Sequence, residues 1–285
     1  MSFERSYKGR YSPVSYAGKR MALLTRHGKE QVMAPLLEDT FGCQVEHVQG
    51  YDADLLGTFT RGIPHADTQL ATAMTKARIG MGLLGLTLGL ASDGSFGPDP
   101  FAWLMPWNIE IVLLIDTEAE LEILGEAQGP GNHQQLLAAS WGEAEQFARV
   151  IGFPRQFLIL LPENPGDRRI QKNLSSWDAL EQAYRNAEDQ ADSGKVFIET
   201  DGRAHGNPMR MEMIGKATAD LLQKIQSICP SCGAPGFFVI HHIPGLPCRW
   251  CGSPTKVIQA EVQGCQRCET RKTIPATEHE YADPG

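Results

Sequence analysis

Residues 107–116 read WNIEIVLLID, a largely apolar run that predicts a strong β-strand. Residues 119–126 predict a second extended segment joined to it by a tight turn, so we expect an antiparallel hairpin. Further strands are predicted at 21–25, 43–48, 86–91, 156–161 and 195–200, with helices at 29–40, 70–81, 143–151, 175–191 and 208–227. Strands that alternate with helices indicate an α/β fold, which we expect to hold a mixed, mainly parallel sheet flanked by helices.

The chain divides into three predicted parts. Helical periodicity ends near Ser227 and gives way to residues rich in Cys, Pro and Gly. We therefore predict a basic tail at 1–20, an α/β domain at 21–227 and a small zinc-ribbon domain at 228–285. Five cations against Glu4 alone make the tail basic, and termini of this kind are usually solvated or loosely docked. The alternative is a basic arm that contacts an acidic partner.

Composition narrows the class of protein. The chain has 285 residues, 42% hydrophobic and 21% charged, with a net charge of −8, as expected of a globular protein. An acidic chain has no general attraction to nucleic acid or anionic membranes, so we expect neither as a partner. The most apolar uncharged run, residues 79–92, is shorter than the roughly 20 residues of a membrane-spanning helix. The N-terminus lacks the apolar segment of a secretory signal, so we expect a cytoplasmic protein.

Six of the seven cysteines form three Cys-x-x-Cys pairs near the C-terminus: Cys229/Cys232, Cys248/Cys251 and Cys265/Cys268. In a reducing compartment such pairs bind metal rather than form disulfides. Fifteen residues separate the first two pairs, and Gly follows each of them, as in structural zinc sites. We therefore predict one structural Zn²⁺ bound by the first and second pairs, with a ribbon that stabilises the domain or docks a protein partner.

The third pair, Cys265 and Cys268, is then half of a second site. Its missing ligands would come from His241, His242 or His279, or from residues beyond Gly285.

The turn after the first predicted strand is the first candidate ligand site. It carries Thr25, Arg26, His27, Gly28 and Lys29. Cations in the first turn of a helix oppose the helix dipole, so this cluster favours an anion bound at the helix N-terminus, with Gly28 allowing close backbone approach. The alternative is an ordinary turn with solvated charges.

The segment 199–210, ETDGRAHGNPMR, is the second candidate site. If it stays extended, Glu199, Asp201, Arg203 and His205 share one face. Asn207 is a typical N-cap before Pro208, which places Arg210 in the first helical turn. We predict the following roles: Glu199 and Asp201 bind Mg²⁺ or accept a proton, Arg203, Asn207 and Arg210 hold phosphate, and His205 acts as an acid or base. The alternative is an internal ion-pair network that braces the helix.

Two further carboxylates are candidates. Asp93 lies in a Gly- and Pro-rich segment, 91–100, that reads as a loop. There it either binds Mg²⁺ or accepts a proton together with Asp201, or is part of a simple turn. Glu110 interrupts the apolar strand at 107–116, so it is either on a solvated face or a buried carboxylate.

Several motifs resemble an uncharacterised bacterial family, a domain of unknown function. They include LLTRHGKE, GTFTRGIP, LASDGSFGPDP, PWNIEIVLLID, ETDGRAHGNPMRM, CPSCGAPGF and GLPCRWCGSPT. The resemblance extends over nearly all of residues 21–285, and ETD-x-RAH-x-NP-x-RM is its most specific part. The chain departs from it at Gly202, where a larger residue is expected, and at its end, where relatives look as though they continue to another Cys pair. The resemblance implies no reaction.

The segment 25–116 is also similar to house-cleaning nucleoside-triphosphate pyrophosphatases. The similarity rests on a strand, a turn with Lys29, a helix, and then Lys76-Ala77-Arg78 before a Gly-rich strand end. It implies phosphate binding at the lysine turn and Mg²⁺ on carboxylates. The TRHGK spacing differs by about one residue from the usual turn of those enzymes.

These observations predict an intracellular enzyme that acts on a phosphorylated or otherwise anionic small molecule, such as a nucleotide. The reaction most consistent with them is metal-assisted hydrolysis of a phosphoanhydride or ester. The alternative is a non-catalytic ligand-sensing or protein-docking module. Both interpretations require the cations at the two helix starts, Lys29 and Arg210, to lie close together in the fold.

Overall fold

The computed structural model describes residues 15–51, 68–100 and 104–283. Its helices are α1 Glu30–Phe41, α2 Gln69–Leu84, α3 Trp141–Ile151, α4 Trp177–Asp189 and α5 Pro208–Gln226. Its strands are β1 Arg20–Leu23, β2 Gln44–His47, β3 Leu88–Pro98, β4 Pro106–Asp116, β5 Leu121–Pro130, β6 Gln135–Ala138, β7 Leu158–Pro162, β8 Gln171–Leu174, β9 Val196–Thr200, β10 Phe238–Pro244, β11 Ile258–Gly264 and β12 Arg271–Pro275.

The first sheet has five strands in the order β2-β1-β3-β4-β5. Strand β1 pairs in parallel with both β2 and β3, and the other two pairings are antiparallel. The predicted hairpin is confirmed, because β4 and β5 pair from Asp116 opposite Leu121 to Trp107 opposite Pro130. Helices α1 and α5 cover one face of this sheet, and α2 covers the other.

Alternation along β4 explains why both faces are covered. Val112 and Leu114 join the core beneath α1 and α5, whereas Ile111 and Leu113 join the core beneath α2. Side chains two residues apart share a face, so Glu110 points to the same side as Val112. That side also carries the first turn of α5.

A second, four-stranded sheet lies between β5 and α5 in the sequence. Its order is β6-β9-β7-β8, all its pairings are antiparallel, and α3 and α4 pack on one face. The prediction of one mainly parallel sheet is therefore not confirmed: parallel pairing among the described strands is limited to β1 with its two neighbours. The physical reason is connectivity, because parallel neighbours need a crossover connection. Helix α1 connects β1 to its parallel neighbour β2, and α2 leads back to β3, the other parallel neighbour of β1.

Strands β10, β11 and β12 form a small antiparallel sheet at the C-terminal end of the chain. This ribbon follows α5 directly, and Gly236 N–H donates to the carbonyl oxygen of Lys224 at 3.1 Å. The change in structure after Gln226 lies where the composition changes. At the other end, residues 1–14 of the predicted tail lie outside the described residues, while Tyr16 is already buried against Phe41.

Two local predictions need correction. The segment 91–100 is not a loop, because Leu88–Pro98 forms strand β3, paired along its length with β4. The segment after Glu199 does not stay extended, because β9 ends at Thr200 and Ala204–Gly206 forms a short 3₁₀ turn. In contrast, Asn207 caps α5 as predicted, accepting a hydrogen bond from Arg210 N–H at 3.0 Å.

Candidate functional site

Several buried charged side chains lie near the end of β1. Strand β1 has β2 on one side and β3 on the other, and α1 and α2 lie on opposite faces of the sheet. In open α/β sheets such a reversal of strand order opens a crevice at the carboxyl ends of the strands, where ligands usually bind. Lys29 lies at this edge because it directly precedes α1, the helix that follows β1.

Lys29 enters the protein interior from the start of α1. Its side chain is buried, and its ammonium donates a hydrogen bond to the Ser92 hydroxyl at 2.9 Å. Ser92 lies on β3, two residues after Leu90, which pairs with Leu23 at the end of β1. No described carboxylate lies within ion-pair distance of the Lys29 ammonium. A buried cation without a carboxylate partner is costly unless another group balances it.

Arg210 and Glu110 form a buried ion pair beside Lys29. The guanidinium of Arg210 bonds the carboxylate of Glu110, and its second terminal nitrogen donates to Gly202 O at 2.7 Å. Glu110 is fully buried, which answers the question that the sequence left open. Gly94 pairs with Glu110 across β3 and β4, and a Cβ there would overlap both partners of the ion pair.

Asp93 forms a second buried ion pair on the opposite face of β3. Its carboxylate bonds Lys76 of α2 at 2.6 Å, and both side chains are buried. Consecutive strand residues point to opposite faces, which is why Ser92 meets α1 and Asp93 meets α2. We call Lys29, Lys76, Ser92, Asp93, Glu110 and Arg210 the switch-point cluster.

The cluster has more positive than negative charge whenever Lys29 is protonated. Three buried cations, Lys29, Lys76 and Arg210, accompany two buried carboxylates, Asp93 and Glu110. Burial, together with the positive charge of Arg210, lowers the pKa of Lys29 from 10.5 to about 7. A titratable side chain with a pKa this strongly perturbed, at the edge where ligands usually bind, is typical of a functional site.

The turn before Lys29 has an unusual backbone. His27 and Gly28 both have positive φ, 69° and 74°, and Lys29 returns to the right-handed helical region. Thr25 is buried, and its carbonyl oxygen lies 2.9 Å from Nε2 of His47. The His27 ring stacks on His205 at a centroid distance of 4.8 Å. The two predicted site segments, 25–29 and 199–210, are therefore brought together in space.

Asp201 and Arg203 pair with each other in the structure. Asp201 is fully buried and accepts from both the backbone N–H of Arg203, at 2.9 Å, and its side chain, at 3.0 Å. Arg203 also donates to Asn173 at 2.8 Å. The side-chain amide of Asn207 bonds Asn132 and the carbonyl oxygen of Asp201. This arrangement matches the alternative in which an ion pair braces the start of α5.

Glu199 lines a cavity of about 530 Å³ where the two sheets meet. His133 and Thr200 are further polar lining residues, Gly202 contributes backbone, and Phe96, Leu104 and Met105 are apolar lining residues. The cavity is adjacent to the switch-point cluster through Gly202, whose carbonyl oxygen bonds Arg210. Lys29 does not line it.

The predicted Mg²⁺ ligands do not converge. Glu199, Asp201 and Asp93 do not place carboxylate oxygens within 4.8 Å of one another in the described structure. Asp201 is held by Arg203 and Asp93 by Lys76. In the described residues, the only group of three or more Cys, His, Asp or Glu side chains close enough to share a metal ion is a set of four cysteines.

That set consists of Cys229, Cys232, Cys265 and Cys268. Its sulfurs are 3.7 Å apart for Cys229 and Cys268 and 3.6 Å apart for Cys232 and Cys265. Tetrahedral zinc with Zn–S bonds of about 2.3 Å would separate its sulfurs by about 3.8 Å, so the four thiols fit such an ion. The backbone N–H groups of Arg267 and Cys268 point at Cys265 Sγ, at 3.3 and 3.4 Å, and would stabilise a thiolate there.

The predicted pairing of the cysteine motifs is wrong. The structure joins the first pair to the third, whereas Cys248 and Cys251 stand apart. The reason is the register of the ribbon: Phe238 at the start of β10 pairs with Gly264 at the end of β11, so the residues just before β10 meet those just after β11. The middle pair lies in the connection at the other end of these seven-residue strands, roughly 20 Å away at 3.4 Å per residue.

Sequence reasoning missed several members of the cluster. In the sequence, Lys76 stands out only through the resemblance to pyrophosphatases, and the segment that holds Ser92 and Gly94 predicts a loop. A signal was available for Lys76, because it repeats with Thr72 and Gly80 at a spacing of four, and all three are buried in α2.

None of the described helices is both long and apolar enough to cross a membrane.

The fold and the cysteine set define an α/β protein with a C-terminal four-cysteine cluster that could bind a metal ion such as zinc. Residues 76–283 match a family described as a domain of unknown function, DUF6671. The match includes more than half of the chain, which therefore belongs to this family. No curated protein matches the chain.

Proposed function

We propose that the α/β part of this protein binds a phosphorylated or otherwise anionic small molecule at the switch-point cluster. The observation that carries this proposal is the buried ammonium of Lys29, which has Ser92 as its hydrogen-bond partner and no described carboxylate within ion-pair distance. An anion beside Lys29 would balance the excess positive charge of the cluster.

The backbone before Lys29 supports the same ligand class. The change from left-handed conformations at His27 and Gly28 to a right-handed one at Lys29 turns successive N–H groups toward a common concave side, an arrangement that binds anions. The N-terminus of α1 adds the positive end of a helix dipole. Backbone and side chain thus offer complementary contacts to one anionic group.

Hydrolysis of the bound molecule is the second candidate function. The pKa of Lys29 favours hydrolysis. Burial and the charge of Arg210 lower this pKa to about 7, so the amine can exchange a proton at neutral pH. Metal assistance would require Asp93, Glu110 or Asp201 to leave a cationic partner. The ion pairs therefore favour ligand binding without metal-assisted chemistry.

We further propose that the four-cysteine cluster holds a structural Zn²⁺. Thiolates at this spacing favour zinc, and burial raises the pKa of Cys232 to about 12, so its thiolate needs a cation nearby. The ion would join the end of α5 to the β11–β12 turn and stabilise a ribbon whose side chains are largely exposed.

The experiment compares two buried lysines. Lys29→Met removes a cation that has no carboxylate partner among the described residues, so the free protein should keep or gain stability. The rise in melting temperature caused by phosphate or nucleotides should disappear. Lys76→Met is the matched control. It leaves the Asp93 carboxylate buried without its cationic partner and should destabilise the fold by about 3–5 kcal/mol. Wild-type protein that gives no thermal shift with any phosphate compound would contradict the proposal.

Phosphate release separates the two candidate functions. The same nucleotide panel is incubated with wild-type protein, with and without Mg²⁺, and free phosphate and pyrophosphate are measured. Turnover that Lys29→Met abolishes would establish hydrolysis. Saturable thermal stabilisation without turnover would establish ligand binding alone.

A further inference from the structure

The middle cysteine pair, Cys248 and Cys251, is not used by the four-cysteine cluster, yet its turn has the backbone of a metal ligand turn. In the first turn, Cys229 N–H donates to Ala234 O at 2.8 Å and Gly233 N–H donates to Cys229 O at 2.9 Å. These bonds bend the chain so that Cys229 and Cys232 both direct sulfur to the four-cysteine cluster.

The second turn repeats this pattern at equivalent positions. Cys248 N–H donates to Ser253 O at 2.8 Å, and Gly252 N–H donates to Cys248 O at 2.9 Å. Gly252 has a φ of 70°, close to the 77° of Gly233. Each turn is also closed by an antiparallel bridge, between residues 228 and 235 in the first and 247 and 254 in the second. The second turn therefore has the shape that supplies two metal ligands elsewhere in the same chain.

Two thiolates are only half of a tetrahedral site. No described Cys, His, Asp or Glu joins Cys248 and Cys251 in a group of three. The pair is also accessible, since Cys251 is exposed. Trp250, between the two cysteines, is 81% exposed. An accessible pair of thiols beside an exposed indole is suited to completion by another molecule.

We propose that Cys248 and Cys251 bind one Zn²⁺ together with the same two cysteines of a second copy of this chain, forming a homodimer. A two-fold axis through the ion converts two thiolates into four with tetrahedral geometry, and closed two-fold contacts are the commonest in homo-oligomers. The contact would bury both Trp250 side chains, and Arg249 of each copy adds positive charge beside a site whose net charge is −2. This proposal is independent of the anion site.

The test measures zinc per chain and molecular mass on the full-length protein. We expect a dimer with three zinc ions per two chains. The variant Cys248→Ser/Cys251→Ser should be a monomer with one zinc per chain. Cys251→His, which keeps a zinc ligand, should retain the dimer. Cys43→Ser, at a buried cysteine outside the ribbon, is the control and should remain dimeric.

Three results would overturn the proposal. A wild-type monomer with one zinc per chain would show that the second turn binds no metal. A monomer with two zinc ions per chain would show that the chain completes the site by itself. A dimer whose mass and zinc content are unchanged in Cys248→Ser/Cys251→Ser would show that copies associate through another surface.

Discussion

Lys29 and Lys76 show how the same residue type acquires different properties at the scale of single side chains. Both lysines are buried within the switch-point cluster. Lys76 contacts Asp93 at 2.6 Å, whereas the acceptors of Lys29 among the described residues are the two oxygen atoms of Ser92. A carboxylate partner compensates for the loss of hydration and a neutral hydroxyl does so only weakly, so the two residues make opposite contributions to stability.

The titration of Lys29 predicts a pH-dependent stability. The unfolded chain keeps this amine protonated up to about pH 10.5, whereas the folded protein releases the proton near pH 7. Between these values the unfolded state binds more protons, so the free energy of unfolding should rise with pH, by up to about 1.4 kcal/mol per unit. The measurement is denaturant unfolding of wild type and Lys29→Met at pH 7.5, 8.5 and 9.5. The slope is read from the wild-type-minus-variant difference in the free energy of unfolding at each pH.

Subtracting the free energy of unfolding of the variant from that of the wild type removes the contributions of other titrating groups. Saturating phosphate should flatten the slope, because a bound anion keeps Lys29 protonated. A wild-type-minus-variant difference that does not change with pH would show that Lys29 keeps its ordinary pKa in the folded protein.

We predict that Asp201 stabilises the fold through its ion pair with Arg203. Asp201→Asn would leave the Arg203 guanidinium buried without its carboxylate, so we expect a loss of about 3–5 kcal/mol in the free energy of unfolding. Glu212→Gln is the control, because it breaks an exposed ion pair with Lys216 and should change stability little. If Asp201→Asn unfolds like wild type but no longer binds or converts a phosphate ligand, Asp201 is a site residue after all.

At the scale of elements, α5 packs unusually close to β5, and this contact positions Arg210. Gly125 makes the approach possible, since a Cβ there would overlap the backbone of α5 at Ala217 and Leu221. Backbone atoms of a helix cannot move aside as a flexible side chain can. The first turn of α5, with Arg210, is thereby held over the face of β4 that carries Glu110.

Gly125→Ala should therefore displace α5 and destabilise the protein by about 1–3 kcal/mol or more. Gly82→Ala in α2 is the matched control, because nothing lies within 4 Å of the new Cβ and α2 gains a better helix former, by about 0.5–1 kcal/mol. Thermal or denaturant unfolding of both variants checks the prediction. Equal stability of the two would mean that α5 and β5 are less closely packed than described.

At the scale of the whole molecule, the two-sheet α/β part and the ribbon are stabilised by different physics. The α/β part has extensive apolar cores on both sides of the first sheet and beneath α3 and α4. The ribbon contributes few buried apolar side chains, among them Phe237 and Leu246. A segment of this size without a large core usually depends on a bound metal or another crosslink, and the proposed zinc would supply that contribution.

Cys265→Ser should thus make residues 228–283 sensitive to protease while the α/β part stays folded, and a strong chelator should do the same to the wild type. Cys43→Ser is the control, because its thiol lies outside the ribbon and this variant should keep the ribbon resistant. Mass spectrometry of limited digests gives the cleavage sites. Equal resistance of both variants would argue against a structural metal in the cluster.

Local sequence patterns were enough to predict much of the secondary structure. The β4–β5 hairpin, the start of α5 at Asn207 and Pro208, and the change to a cysteine-rich ribbon after α5 all depend on apolar periodicity, capping or composition, which neighbouring residues define. The same reasoning misassigned β3, because its glycines and Pro98 suggested a loop although full pairing with β4 makes it a strand.

The sequence by itself therefore determined an α/β chain with a cysteine motif suited to metal, and it placed cations at the starts of α1 and α5. Only the tertiary structure decided that Arg210 meets Glu110, 100 residues away, that Asp201 is neutralised by Arg203, and that the first cysteine pair joins the third. The physical reason is that capping and periodicity act within a few residues, whereas ion pairs and metal sites depend on strand register and on which faces of distant elements pack together.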